Sequence, residues 1–145
     1  MKKKPPMNRA ARVLWLSLAG SAWLLLLWLT TDASPAQNAI VTPMLSMDLA
    51  QDHNTELSMI TVEYPPGGSN PVHTHRAEAI GYVLEGSIVM QPKDGAPVTL
   101  APGQTFHEGP DEVHIVNRNA SDTAPAKLLV FLVKDKGAPV LTPVK

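Results

Sequence analysis

An all-β barrel or sandwich is the fold class this sequence predicts, on three observations. Short apolar runs succeed one another from about residue 57 to residue 133, clusters of Pro and Gly separate them, and no long stretch repeats at 3.6 residues. Strands this short and this regularly spaced must close into two packed sheets or a barrel to bury their apolar faces.

The chain of 145 residues has room for one such domain, and its first residues have a different character. Five of the twelve basic residues (Lys2, Lys3, Lys4, Arg9 and Arg12) fall in the first twelve positions, and an uncharged apolar run from Val13 to Leu29 follows. A positive leader before a hydrophobic run marks a signal peptide or an uncleaved N-terminal anchor helix. The small residues Ser34 and Ala36 favour cleavage after Ala36, with Ala33 as the nearest competitor. The sequence therefore divides into a signal peptide or membrane anchor over 1–36, a linker over 37–50, the β domain over 51–136 and a tail over 137–145. The domain is expected to be exported, to the periplasm or the exterior, or to remain tethered at the inner membrane.

Composition narrows the partners. The chain has no cysteine, so it offers neither a disulfide framework nor a lipid-accepting residue. From Gln37 onward seven lysines and arginines face twelve acidic residues, a charge of −5. That balance argues against nucleic acid and against anionic membrane surfaces, leaving an uncleaved N-terminus as the one membrane contact.

The strands are read in order. Residues 57–64 are rich in β-formers and end at Pro65-Pro66-Gly67-Gly68, a cluster that must turn the chain. Further strands are predicted over 80–84, 87–91, 97–100, 104–107, 113–116 and 127–133, separated by Glu85-Gly86, Lys93-Asp94-Gly95, Pro102-Gly103 and Gly109-Pro110. Ile80, Tyr82, Leu84, Ile88, Met90, Phe106 and Phe131 are the expected core, and 127–133 lacks clean alternation, as a strand covered on both faces would.

Histidines carry the chemistry. His73 and His75 lie two apart, so on a strand both imidazoles reach the same face and can converge on one ion. A third, His114, follows Gly103 and the segment Gln104 to Val113. A lone histidine is most often a surface or hydrogen-bonded residue, but neutral imidazole is also the commonest protein ligand for transition metals.

Around these residues the chain resembles the cupin superfamily. The family's first motif runs Gly-x5-His-x-His-x(3 or 4)-Glu-x6-Gly and its second Gly-x5-Pro-x-Gly-x2-His-x3-Asn; Gly67, His73, His75, Gly86, Gly103 and His114 fall on family positions. The resemblance spans about Leu57 to Val133. It implies a double-stranded β-helix, or jelly-roll barrel, holding one divalent metal ion (Fe, Mn, Zn or Ni) on His73, His75 and His114. It also implies a small-molecule ligand or substrate, and a homodimer paired through sheet edges. Two departures stand out. Counted back from Gly86, the family's ligand glutamate belongs at position 79, which is Ala79; Glu78 lies one step earlier, on the other face of a regular strand. In the second motif Gly109, Asp111 and Arg118 replace the usual Pro, Gly and Asn, with Asn117 and Asn119 flanking Arg118.

The expected site is thus a three-histidine one, with Glu78 and Glu108 as the candidate fourth ligands and Tyr82 and His107 as candidate pocket residues. The leading functional expectation is a metal-dependent small-molecule enzyme, dioxygenase-like by analogy with three-histidine cupins, or an isomerase. Against it stand a non-catalytic barrel that captures a small ligand, and a barrel in which the metal only staples strands. The N-terminus offers a direct test, because Trp15, Trp23 and Trp28 all lie in the apolar run. Cleavage removes every tryptophan, so the exported protein is expected to show no tryptophan emission and an intact mass beginning near Gln37; a soluble exported species that still fluoresces would contradict cleavage.

Overall fold

The computed structural model describes residues 38–144; the segment read as a signal peptide or anchor lies outside them. Ten strands form in chain order: β1 (Ile40–Leu49), β2 (Asp52–Tyr64), β3 (His73–Thr74), β4 (Ala77–Glu85), β5 (Ile88–Pro92), β6 (Val98–Leu100), β7 (Thr105–Glu108), β8 (His114–Asn119), β9 (Ala126–Asp135) and β10 (Thr142–Pro143). They build two antiparallel five-stranded sheets, ordered β1-β2-β9-β4-β7 and β10-β3-β8-β5-β6. Apart from β1–β2 and β5–β6, each connection passes from one sheet to the other, which makes a jelly-roll barrel with its core between the sheets.

Segments outside the predicted strands also join the sheets. Residues 37–50, expected to be a linker, carry β1, which pairs with β2 from Ile40↔Glu63 to Leu49↔Asp52. This edge strand is exposed along nearly its whole length, so it lacks the in-out alternation that betrays a strand in sequence. Within the expected tail, β10 pairs with β3 and supplies the edge of the second sheet.

The interior is built by alternation along β2, β9 and β4. Ile60, Val62 and Tyr64 point inward from β2, and Leu128, Val130 and Leu132 do so from β9, meeting Ile88 and Met90 of β5. On β4 the inward residues are Ala77, Ala79, Gly81 and Val83, so Ile80, Tyr82 and Leu84, expected in the core, project outward instead. The register explains it. Phe106 of β7 sits opposite Gly81, and a β-carbon added there would lie 2.0 Å from its ring. Only a glycine leaves space for that ring, so the small residues are the inward ones.

Outward, Leu45, Met59, Phe131 and Ile80 form one continuous row across β1, β2, β9 and β4, flanked by Met47, Leu57 and Val133. This face of the first sheet is largely apolar and substantially exposed.

Asn119 ties the far end of the barrel together. Fully buried, its amide donates to the carbonyls of Tyr64, Pro65 and Ala124, while its oxygen accepts the Ser121 amide. It closes the turn after β2 and the loop before β9 onto β8. Gly86, a motif residue, is required by its left-handed backbone (φ 66°) and by the Pro125 carbonyl, 2.6 Å from where a β-carbon would stand.

The glycine–phenylalanine pair is testable. Gly81→Ala is expected to destabilise the domain by about 1–3 kcal/mol through overpacking, and most of that loss is expected to vanish when Phe106 is also replaced by Ala. Denaturant unfolding of the two single variants and the double variant checks this; strictly additive losses would show that the ring and the glycine do not share the space.

Candidate metal centre

Two of the sheet crossovers, β3 to β4 and β7 to β8, come together, and the candidate site lies between them. His73 is the first residue of β3, and His75 lies in the two-residue link to β4. Glu108 is the last residue of β7, and His114 is the first of β8. The five-residue turn from Gly109 to Val113 joins the latter two. Within it Asp111 takes the left-handed conformation (φ 61°) at the position where cupin motifs usually carry glycine, and its amide donates to the His75 carbonyl at 2.9 Å. Aspartate is among the few residues that enter this region readily. That hydrogen bond clips one crossover to the other.

The side chains converge accordingly. His75, Glu108 and His114 are buried, and each offers a ligand atom within 4.8 Å of the others. His73, also buried, pairs with His114 across β3 and β8, and its ring centroid lies 5.4 Å from that of His114 and 6.4 Å from that of His75. The imidazoles are held by main-chain carbonyls, which can only accept hydrogen bonds. Nδ1–H of His73 donates to the Pro71 carbonyl at 2.9 Å and Nδ1–H of His75 to the Ala77 carbonyl at 3.2 Å. Both rings are thereby oriented with Nε2 facing inward, as in metal-binding histidines; Nε2 of His75 meets the Glu108 carboxylate there, so a proton shared between them would have to leave before a cation binds.

Glu108 lies among them, its Oε2 3.0 Å from Nε2 of His75 and its Oε1 3.2 Å from Nδ1 of His114. Burial alone would lower the proton affinity of His75, but the hydrogen bond and charge of Glu108 outweigh it, and its pKa lies above the ordinary value. For His114 burial prevails, helped by the neighbouring imidazoles against the pull of Glu108, and its pKa lies below the ordinary value. Behind them Tyr64 donates its hydroxyl to Asn117 Oδ1 at 2.8 Å and accepts from Asn70 at 2.9 Å. Burial first, and then the charge of Glu108, hold its phenol well above its usual range.

A divalent cation suits this arrangement. Nε2 of His114 and Oε1 of Glu108 are buried without a hydrogen-bond partner among the described residues, the 3.2 Å approach of Oε1 to Nδ1 of His114 being a charge contact not aligned as a hydrogen bond, and such atoms are costly. Imidazole nitrogen and carboxylate oxygen are also the donors that Zn, Fe, Mn and Ni accept.

The positions of the sequence candidates follow from strand alternation. Glu78 points outward from β4 and bonds His107 at 2.6 Å, both side chains more than half exposed, so Glu78 does not enter the site. Glu108 does enter. It faces Ala79 directly across β4 and β7, so the carboxylate absent from position 79 is present on the neighbouring strand, on the same inner face. The convergent group is therefore two histidines and a carboxylate, His75, His114 and Glu108, in place of the expected three histidines, and His73 stands beside it. Tyr82 stands on the outer surface and lines neither cavity at the site, whereas an edge of His107 borders one of them. Arg118 is exposed, and its buried neighbours Asn117 and Asn119 take the inward positions.

Two cavities adjoin Glu108. A chamber of about 50 Å³ lies behind it, lined in part by Tyr64, Asn70, His73 and Asn117. A larger cavity of about 250 Å³ lies on the side of His114 and includes Met90, Leu100, Phe106 and Glu112 in its lining. Phe106 borders both. Phe106 was legible only as core and Glu112 not at all, because nothing in their spacing places them beside a histidine.

Residues 60–132, half of the chain, match the family described as Cupin domain. This chain is a cupin. Among curated proteins it is similar to a rhicadhesin receptor of Pisum sativum, at 36% identity over 73 residues, covering 47% of this chain and 34% of that protein. Among solved structures the cupin resembles an oxalate oxidase in complex with the substrate analogue glycolate (TM-score 0.59, 24% identity, 77% of this chain and 57% of that one). It also resembles a DMSP lyase of Ruegeria pomeroyi (TM-score 0.53, 24% identity, 61% and 43%) and a cupin domain of Bordetella pertussis (TM-score 0.54, 20% identity, 70% and 98%). The chain thus spans about a third of the curated relative and about half of the lyase and the oxidase. At these identities the structures report the fold alone.

The relocated carboxylate generates a swap experiment. Glu108→Ala is expected to weaken divalent-metal binding at least tenfold, and adding Ala79→Glu to that variant is expected to restore much of the loss, because the two positions face each other on the inner surface. Glu78→Gln is expected to change nothing. Competition titration of zinc against a chromophoric chelator measures all three, and an unchanged affinity in Glu108→Ala would remove that residue from the site.

Proposed function

We propose that this cupin is an exported, metal-dependent enzyme acting on a small molecule. In this reading one divalent ion is held by His73, His75, His114 and Glu108. The observation that carries the proposal is the buried cluster of imidazoles around one carboxylate, with unpartnered ligand atoms, at the base of a cavity large enough for a small organic molecule. When bound, such an ion supplies Lewis acidity and a template for orienting substrate, and with iron also oxygen. The chain's own residues supply the rest. The Pro71 and Ala77 carbonyls fix the imidazoles, Glu108 contributes the negative charge that a cation among neutral nitrogens needs, and Phe106 with Met90 and Leu100 keeps the cavity apolar. Glu112 and His107 are the lining groups outside the metal set that can exchange a proton. Oxalate oxidase and DMSP lyase are enzymes of small molecules built on the same fold, which supports the class and not the substrate.

The leading chemistry is dioxygenase-like. One observation favours a second reading: β3 has two residues and meets β8 at the single pair His73↔His114, so an ion there would staple a weakly paired strand. Oxygen uptake separates the two. The iron-loaded mature protein, screened over small thiols and phenols, is expected to consume oxygen with at least one of them and to lose that turnover in His73→Ala. A protein that gains thermal stability from metal but converts none of them would support the staple instead.

A further inference from the structure

The cavity beside the proposed metal set has an uneven chemistry. Its walls are largely apolar, from Met90, Pro92, Val98, Leu100 and Phe106, with the hydroxyl of Thr105 among them, while its ionisable lining groups are Glu108, Glu112, His107 and His114. Among the described residues no lysine or arginine lines it. Lys93, on the turn after β5, borders an adjoining depression with Asp94, Asp111 and Glu112 and so faces acidic company of its own. Glu112 is held in place, its Oε2 accepting the Gly109 amide at 3.3 Å. A ligand bound at the metal therefore extends its body between apolar side chains toward a fixed negative charge. A second anionic group on that body would approach the Glu112 carboxylate with no cation among the described lining residues to receive it, a like-charge juxtaposition that costs affinity.

We infer that the site selects molecules with a single metal-binding head and an uncharged apolar body, and rejects those carrying a carboxylate at the far end. The inference rests on the metal-binding reading above and names its substrate class. Size adds to it: the cavity of about 250 Å³ lies below the ~300–1,000 Å³ usual for pockets that take drug-sized ligands, which suits a short chain or a single ring. Monocarboxylates, thiols and phenols with compact apolar bodies belong to this class; dicarboxylates do not. The selectivity comes from the walls and Glu112, because the metal head is common to both kinds of ligand.

The test uses ligands that share a head. Zinc-loaded protein, its metal content first measured by elemental analysis, is titrated calorimetrically with hexanohydroxamic acid, with the same chain ending in a carboxylate, and with the same chain ending in an amine. The neutral chain is expected to bind at least tenfold more tightly than the carboxylate-ended one, and the amine-ended chain to fall within tenfold of the neutral one, since Glu112 can face its charge. Glu112→Gln is expected to narrow the gap between neutral and anionic chains. Val98→Lys, at a wall position that is 52% exposed and therefore tolerant of change, is expected to abolish or invert it. Stoichiometric zinc with equal affinity for neutral and anionic chains would overturn this inference while leaving the metal site standing. Stoichiometric zinc with no binding of any chain would do the same, by showing that the cavity admits no body. Failure to hold zinc would overturn the metal-binding reading, and this inference with it.

Discussion

A negative charge buried at the seam between two sheets is the constraint on which the functional end of this barrel depends. Glu108 closes β7 with its carboxylate on the inner face, largely out of water. An isolated carboxylate in such a place would take up a proton or draw in water. Two imidazoles approach it instead, and their own positions are dictated by main-chain carbonyls and by the strand pair His73↔His114. The consequence reaches beyond the site: His75 gains proton affinity from that charge despite its burial, and the phenol of Tyr64, already raised by its own burial, is pushed further up by it.

The backbone makes this possible by bringing two crossovers to one place. The link from β3 to β4 carries His75, and the turn from β7 to β8 ends at His114; the amide of Asp111 joins them through the His75 carbonyl. A residue with positive φ is needed at that point of the turn, and this chain uses aspartate where its family usually has glycine. The substitution retains the backbone shape while adding a charge to the rim. Phe106 acts from the other side of Glu108. Seated over Gly81, it lines both the small chamber near Tyr64 and the larger cavity near His114, so a packing requirement of β4 also shapes the space in which a ligand would lie.

Family membership and site chemistry carry different weight here. The cupin assignment rests on a match over half of the chain and on structures that share the fold at low identity. Those relatives bear names as different as a receptor, an oxidase and a lyase, so the fold leaves the reaction open and the side chains around the cavity must decide it. Here they offer acids, imidazoles, one hydroxyl and hydrocarbon, with no guanidinium or ammonium group from the described residues on the wall.

The sequence by itself determined the strand-rich class, most of the strand positions and the three histidines, because these depend on local signals: breakers between short apolar runs, and a two-residue spacing that sends both imidazoles to one face. It also determined that position 79 lacks a carboxylate. Where the carboxylate lies instead was decided only by tertiary structure, since Glu108 is 29 residues from Ala79 in the chain and faces it solely through the pairing of β4 with β7. The outward turn of Ile80, Tyr82 and Leu84 was hidden for a related reason. Alternation shows that a strand has two faces, but which one is inner depends on what packs against it, and the ring of Phe106 over Gly81 settles that choice. The strand at 40–49 was illegible because an edge exposed on both faces leaves no periodic mark, and only the register offered by β2 recruits it into the sheet.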